Sequence, residues 1–166
     1  MTTLRRQRLG VRLALLWLLV STAPAALLWQ SGHAATTEQI VTDQNTGLAI
    51  YGYDPVAYFT DRAAKMGRGD LEVKHAGVTW RFYNEGNRDA FAQDPDVYMP
   101  QYGGHDPIAI SSNIARAGHP DFFAIHQDRL FLFYSEDARK HFKADPNQMA
   151  LQADVNWPHV SKTLVP

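Results

Sequence analysis

The feature that most constrains this chain is that it says part of itself twice. Displaced by 51 positions, Phe82-Tyr83 falls on Phe133-Tyr134, Glu85 on Glu136 and Arg88 on Arg139. Phe91 falls on Phe142, Asp94-Pro95 on Asp145-Pro146, Asp70 on Asp121 and His75 on His126. Trp80 meets Phe131, so an aromatic is kept there too. Nine of the 26 positions in 70–95 are identical to those in 121–146, without a gap. A repeat of this kind is one supersecondary unit used twice. The expected architecture is an α+β domain in which two hairpin-plus-helix units pack around one shared core.

The grammar of each unit follows from period and punctuation. Leu71–His75 and Val78–Phe82 alternate apolar and polar residues on either side of Ala76-Gly77, which predicts a hairpin with the glycine in its turn. Leu71, Val73, Val78, Trp80 and Phe82 fall on its buried face. Asn84 is placed to cap a helix to about Gln93, with Glu85 at its positive end. Pro95 ends that helix and opens a second, capped by Asp94. In the second copy, Phe122–His126 and Leu130–Tyr134 are strands, Ser135 is the cap, and Asp145-Pro146 restarts a helix to about Asp154 that Trp157-Pro158 closes. Glu85 with Arg88 and Glu136 with Arg139 stand three apart and read as helix-surface pairs.

The first 35 residues read differently. Arg5, Arg6, Arg8 and Arg12 precede the apolar run Leu13–Val20, and small residues follow at Ala23-Pro24-Ala25 and Gly32-His33-Ala34. This is the pattern of a secretory signal, with 36–166 as the mature domain and the periplasm or the cell exterior as its destination. An uncleaved membrane anchor is the alternative, because Val11–Trp29 approaches spanning length. Without the four leader arginines, 12 Lys+Arg face 17 Asp+Glu, a net of −5. Such a surface argues against nucleic acid as a partner. The chain has no cysteine, which excludes disulfides, thiolate metal sites and cysteine nucleophiles.

Between these parts, Thr36–Gly47 reads as an exposed polar lead-in, Val56–Phe59 as the start of a strand, and Asp61–Asp70 as a surface loop. Gln101–His119 is the long stretch without a partner in the repeat. It holds Gly103-Gly104-His105-Asp106-Pro107. Two glycines let a backbone approach a ligand or another strand closely, and Pro107 stiffens the exit.

Gly52-Tyr53-Asp54-Pro55-Val56-Ala57-Tyr58-Phe59, then Trp80-Arg81-Phe82, Asn87-Arg88-Asp89-Ala90-Phe91, Asp94-Pro95 and Gln101-Tyr102-Gly103-Gly104 resemble the YHS domain, in its exported single-domain bacterial branch. The resemblance runs through Asn156-Trp157-Pro158, across nearly all of the mature chain. It implies a small binding module. Metal-binding YHS domains carry cysteines where this chain has Ala57, Tyr83 and Asn87, so a thiolate site does not carry over. The branch's tyrosine-cysteine pair after Gln-Tyr-Gly-Gly is His105-Asp106 here.

Histidines are therefore the softest ligands available. His105 and Asp106, with His119 at the end of the same stretch, are the candidate ligands of a copper- or zinc-type site. Tyr102, Gly103 and Gly104 are candidate ligand-binding residues. The plain alternative is a tight turn in which Asp106 bonds the backbone beyond it. His75 and His126 invite a paired site but also read as hairpin ends. Ser111-Ser112 with His105 and Asp106 has the residue types of a hydrolase triad but no GxSxG elbow, and no motif supports an enzyme. The reading is an exported binding module for a metal ion or small ligand, or alternatively an accessory protein that contacts another envelope component.

Overall fold

The computed structural model describes residues 38–166. The expected signal segment, with its cleavage site and the anchor alternative, lies outside the described residues. Among those described, no helix is long and apolar enough to cross a membrane.

The chain is α+β. Its elements are α1 (Ala57–Thr60), β1 (Arg68–His75), β2 (Val78–Phe82), α2 (Glu85–Gln93) and α3 (Pro95–Tyr98), followed by α4 (Pro107–Ser111), β3 (His119–His126), β4 (Arg129–Phe133), α5 (Glu136–Ala144) and α6 (Pro146–Val160). The strands form two antiparallel hairpins, β1–β2 and β3–β4. Each turns on two residues of positive φ, Ala76-Gly77 and Gln127-Asp128, which matches the twist of the flanking strands. Most of the local punctuation is as the sequence reads, but Asp94 makes no side-chain cap bond to α3. Asn84 accepts from the Asn87 N–H, Ser135 from Ala138, and Pro95 and Pro146 open their helices.

Both ends of β3, β4 and α5 lie 51 positions after those of β1, β2 and α2, and α6 starts 51 after α3. The hairpin registers share this offset, down to an irregularity between Arg68 and Glu72 and between His119 and Phe123. The copies differ in burial. In β2, Trp80 and Phe82 point inward while Thr79 and Arg81 stay partly exposed. In β4, Leu130, Phe131, Leu132 and Phe133 are all buried.

The alternation of a strand explains this difference. Leu130 and Leu132 join a cluster with Ile50, Tyr58, Trp80, Phe82 and Phe91, while Phe131 and Phe133 join Tyr102, Ile110, Phe142 and Val160. The single core expected from the repeat is thus two clusters separated by β4, whose apolar run faces both. Tyr58 also ties the halves together. Its hydroxyl donates to the Pro120 carbonyl at 3.1 Å and its ring meets Phe123 edge-on at 4.8 Å.

Three local expectations are corrected. Val56–Phe59 is not a strand, because the buried Asp54 carboxylate accepts from the Val56 and Ala57 N–H groups and starts α1 instead. Helix α6 runs six residues past Asp154, through Pro158. A proline so near a helix end removes one hydrogen bond, while Ala150, Ala153 and Val160 hold the helix on the core. The lead-in is not wholly exposed: Val41 is buried, donating to the Gly103 carbonyl at 2.8 Å and accepting from Ile50.

Candidate functional site

The stretch 101–107 turns tightly. Tyr102, Gly103 and Gly104 all have positive φ. Gly103 is required there, because a Cβ would stand 1.9 Å from the Gln39 carbonyl oxygen. The close approach that the paired glycines permit is made by the chain's own N-terminal segment. Tyr102 is buried, and its hydroxyl lies 2.8 Å from Asp154 and 3.2 Å from the Ala150 carbonyl. Burial, followed by the Asp154 carboxylate, pushes its phenol well above the ordinary value.

His105 is fully buried. Its Nε2 lies 2.9 Å from the Glu38 carbonyl, and its ring is 5.8 Å from that of Trp157. Burial lowers its pKa, against the carbonyls of Glu38 and Arg116, which favour the charged ring. Asp106 is buried as well, and its two oxygens are committed to backbone. One caps α4 through the Ile108 N–H at 2.8 Å, and the other accepts from Tyr134 at 3.1 Å. Burial raises its pKa, against those same N–H groups.

His119 is exposed at the start of β3, where Nδ1 accepts from the Asp121 N–H and its ring rests 5.4 Å from Phe122. The three candidate ligands are therefore not assembled. Among the described residues no group of three or more histidines and carboxylates is placed to hold a metal ion. His105 and Asp106 serve the fold, which is the plain alternative drawn from the sequence.

The remaining candidates are placed similarly. His75 and His126 meet Phe91 and Phe142 edge-on, at 5.9 and 6.3 Å, and His126 also bonds Asn147. The Ser111 hydroxyl donates to the Ile108 carbonyl rather than to a base. Arg139 pairs with Glu136 at 2.7 Å as the spacing suggests, but Arg88 takes the adjacent Asp89 at 2.8 Å.

The sequence reading also missed how far the internal likeness extends. Asp54 is buried in the first half as Asp106 is in the second. Its Oδ1 accepts from Val56 and Ala57, and its Oδ2 from the Tyr83 N–H at 2.8 Å and Asn87 Nδ2 at 2.7 Å. The Asp54 backbone N–H donates to the Lys65 carbonyl at 2.8 Å, and the Asp106 N–H donates to the Arg116 carbonyl at the same distance. Lys65 then stacks on Tyr83 at 4.5 Å, and Arg116 on Tyr134 at 4.7 Å. The signal was present as Tyr51-Gly52-Tyr53-Asp54-Pro55 against Tyr102-Gly103-Gly104-His105-Asp106-Pro107, hidden by one extra residue.

A concave site sits beside this turn. A two-lobed cleft opens where the N-terminal segment, the tip of the first hairpin, the 100–103 turn and α6 meet. Its smaller lobe, about 180 Å³, is lined by Ile40, Trp80, Met99, Pro100, Gly103 and Trp157. Its larger lobe, about 380 Å³, includes Glu38, Thr42, Gly77 and Val78, and the lobes share Gln39, Ile40 and Ala76. Of the candidate ligand-binding residues, Gly103 lines the cleft, and Tyr102 lies behind it with its ring 5.7 Å from Trp157. No family model, no curated protein and no solved structure matches this chain.

Proposed function

We propose that this chain is an exported, YHS-like binding module that holds a small, largely apolar ligand in the two-lobed cleft. The observation that carries the reading is the smaller lobe, a mostly apolar hollow lined by Ile40, Met99, Pro100 and Trp157 at the junction of separate elements. Ligand sites favour such concave, mostly apolar junctions with a few polar groups at the rim. The resemblance of Gly52–Phe59 and Gln101–Gly104 to the YHS domain points the same way. Export rests on the basic and apolar leader. Intact-mass measurement of the protein recovered from the envelope checks it, and retention of Met1–Trp29 in a membrane fraction would contradict it.

The binding reading is tested by titrating the protein with a panel of small apolar and amphipathic fragments while recording amide and indole NMR signals. Fragments that bind in the cleft shift the Trp80 and Trp157 indoles together with the Ile40, Gly77 and Gly103 amides. Shifts absent from this set, or scattered over the surface, overturn the reading. A second reading, an accessory protein docking on an envelope partner, is favoured by Leu151 and Val155, one turn apart on α6 and 58% and 70% exposed.

A further inference from the structure

The outer face of α6 is nearly free of charge. Leu151 and Val155 stand one turn apart at its centre, both well exposed. Asn147, Gln148, Gln152 and His159 surround them, and Asp154 at the edge is already held by Arg129 and Tyr102. Other exposed faces are strongly charged: β1 shows Arg68, Asp70, Glu72 and Lys74, and α5 shows Asp137, Lys140 and Lys143. Beside the apolar pair is a shallow hollow of about 360 Å³, lined by Leu151, Gln152, Val155, Asn156 and Ser111. Asn156 Nδ2 donates to the Ile110 and Ser111 carbonyls, and the Ser111 hydroxyl to the Ile108 carbonyl. Those donors are committed to the fold, so the hollow suits an apolar side chain.

We infer that α6 is the contact face of a homodimer, in which a second copy of this chain packs its own α6 antiparallel across a two-fold axis. Charge identifies the occupant. Two copies of a domain with a net charge of −5 repel one another, and a two-fold contact sets each patch against itself. A charged face would bring like charges together near the axis, whereas this one opposes amides and alkyl groups. Leu151 of one copy then meets Val155 of the other, twice, and each hollow receives an apolar side chain from across the contact. One 15-residue helix from each copy makes a small patch. The dimer is accordingly weak, with a Kd on the order of 10–500 μM. This inference names the occupant of the face on which the accessory-protein reading draws, and it is independent of the cleft.

Sedimentation equilibrium of the protein recovered from the envelope, at concentrations up to about 1 mM, tests it. A monomer–dimer equilibrium is expected, weakened at least about 10-fold in Leu151→Glu and in Val155→Glu. Both side chains are exposed, and an unchanged urea midpoint shows that each variant folds. Met66→Glu, at an exposed apolar residue of the first half, should leave the equilibrium as it is. Mixing Leu151→Glu with Val155→Lys brings opposite charges together across an antiparallel contact, and the mixture should associate more tightly than either variant alone. A monomer at about 1 mM overturns the inference and leaves the face to a different partner. A dimer undiminished in Leu151→Glu and Val155→Glu, or weakened equally by Met66→Glu, overturns α6 as the contact. A mixture no tighter than its components overturns the antiparallel pairing and the inference as stated. None of these results bears on the cleft, which the indole titration tests separately.

Discussion

Asp54 and Asp106 are equivalent buried carboxylates, one in each half of the molecule. Asp54 accepts from the Val56 and Ala57 N–H groups at the start of α1, Asp106 caps α4, and each also accepts the N–H of the tyrosine just past a hairpin, Tyr83 or Tyr134. A single side chain thus fixes the entry of a helix to the exit of a strand, across 29 and 28 positions of sequence. Buried N–H groups left without acceptors are costly, so these carboxylates hold two elements at once.

Removing either carboxylate should therefore destabilise the domain well beyond an ordinary surface change. Asp54→Ala and Asp106→Ala are each expected to lower the unfolding free energy by roughly 2–4 kcal/mol, from the lost charged hydrogen bonds and the donors left unpaired. Asp54→Ala should be the worse of the two, since it also orphans the Asn87 side chain. Urea unfolding with linear extrapolation measures both. A loss below about 0.5 kcal/mol, the range of ordinary surface substitutions, would show that water replaces the carboxylate.

Phe91 and Phe142 each anchor a helix on one of the two clusters. Phe91 touches Trp80 and Phe82 at ring separations of 5.2 and 5.1 Å, and Phe142 touches Phe131 and Phe133 at 4.9 and 5.1 Å. Truncation of either to alanine should cost roughly 3–5 kcal/mol. Equilibrium denaturation of the two variants checks this, and a cost under about 1 kcal/mol at either would contradict its burial.

Two glycines separate backbone strain from collision. Gly47 and Gly103 both have positive φ, but a Cβ at Gly47 meets nothing within 4 Å, whereas one at Gly103 meets the Gln39 carbonyl. Gly47→Ala should cost about 1–2 kcal/mol, the left-handed penalty alone. Gly103→Ala should cost more, and should also loosen the N-terminal segment, because Val41 donates to the Gly103 carbonyl. Thermal unfolding together with hydrogen exchange at the Val41 amide distinguishes them. Equal costs with unchanged Val41 protection would refute the collision.

His105 should give stability a pH dependence of definite sign. Because burial lowers its folded pKa, the unfolded chain takes up the proton first as pH falls below about 6.5, and stability declines until the folded pKa is passed. Asp106 acts in the opposite sense. Its raised pKa makes the unfolded chain release its proton first, so its contribution falls as pH rises from about 3.9 towards the folded value. Comparing wild type with His105→Gln from about pH 8 to about pH 5 isolates the histidine. The variant should lose less stability on acidification, and parallel profiles would exclude His105 as the source.

What the sequence determined by itself was everything carried by short-range chemistry. Ala76-Gly77, Asn84, Ser135, Pro95 and Pro146 set turns, caps and helix starts with neighbours a few positions away, so hairpins and helices could be read in order. The ungapped repeat placed them in pairs. The earlier part of each unit escaped because the extra residue between Tyr102 and Asp106 breaks the 51-residue register. What those segments share is also backbone, positive φ at Tyr51 and Tyr102 and the contacts of Asp54 and Asp106. Only the tertiary structure decided which faces of β4 were buried, because an apolar run does not say how many layers cover it. It also moved the candidate site. His105 and Asp106 look like ligands in one dimension, but in three their polar atoms meet backbone from Glu38, Ile108 and Tyr134. The cleft beside them joins Gln39, Ala76, Gly103 and Trp157, residues that no local pattern connects, because only the folding of the N-terminal segment and α6 onto the first hairpin brings them together.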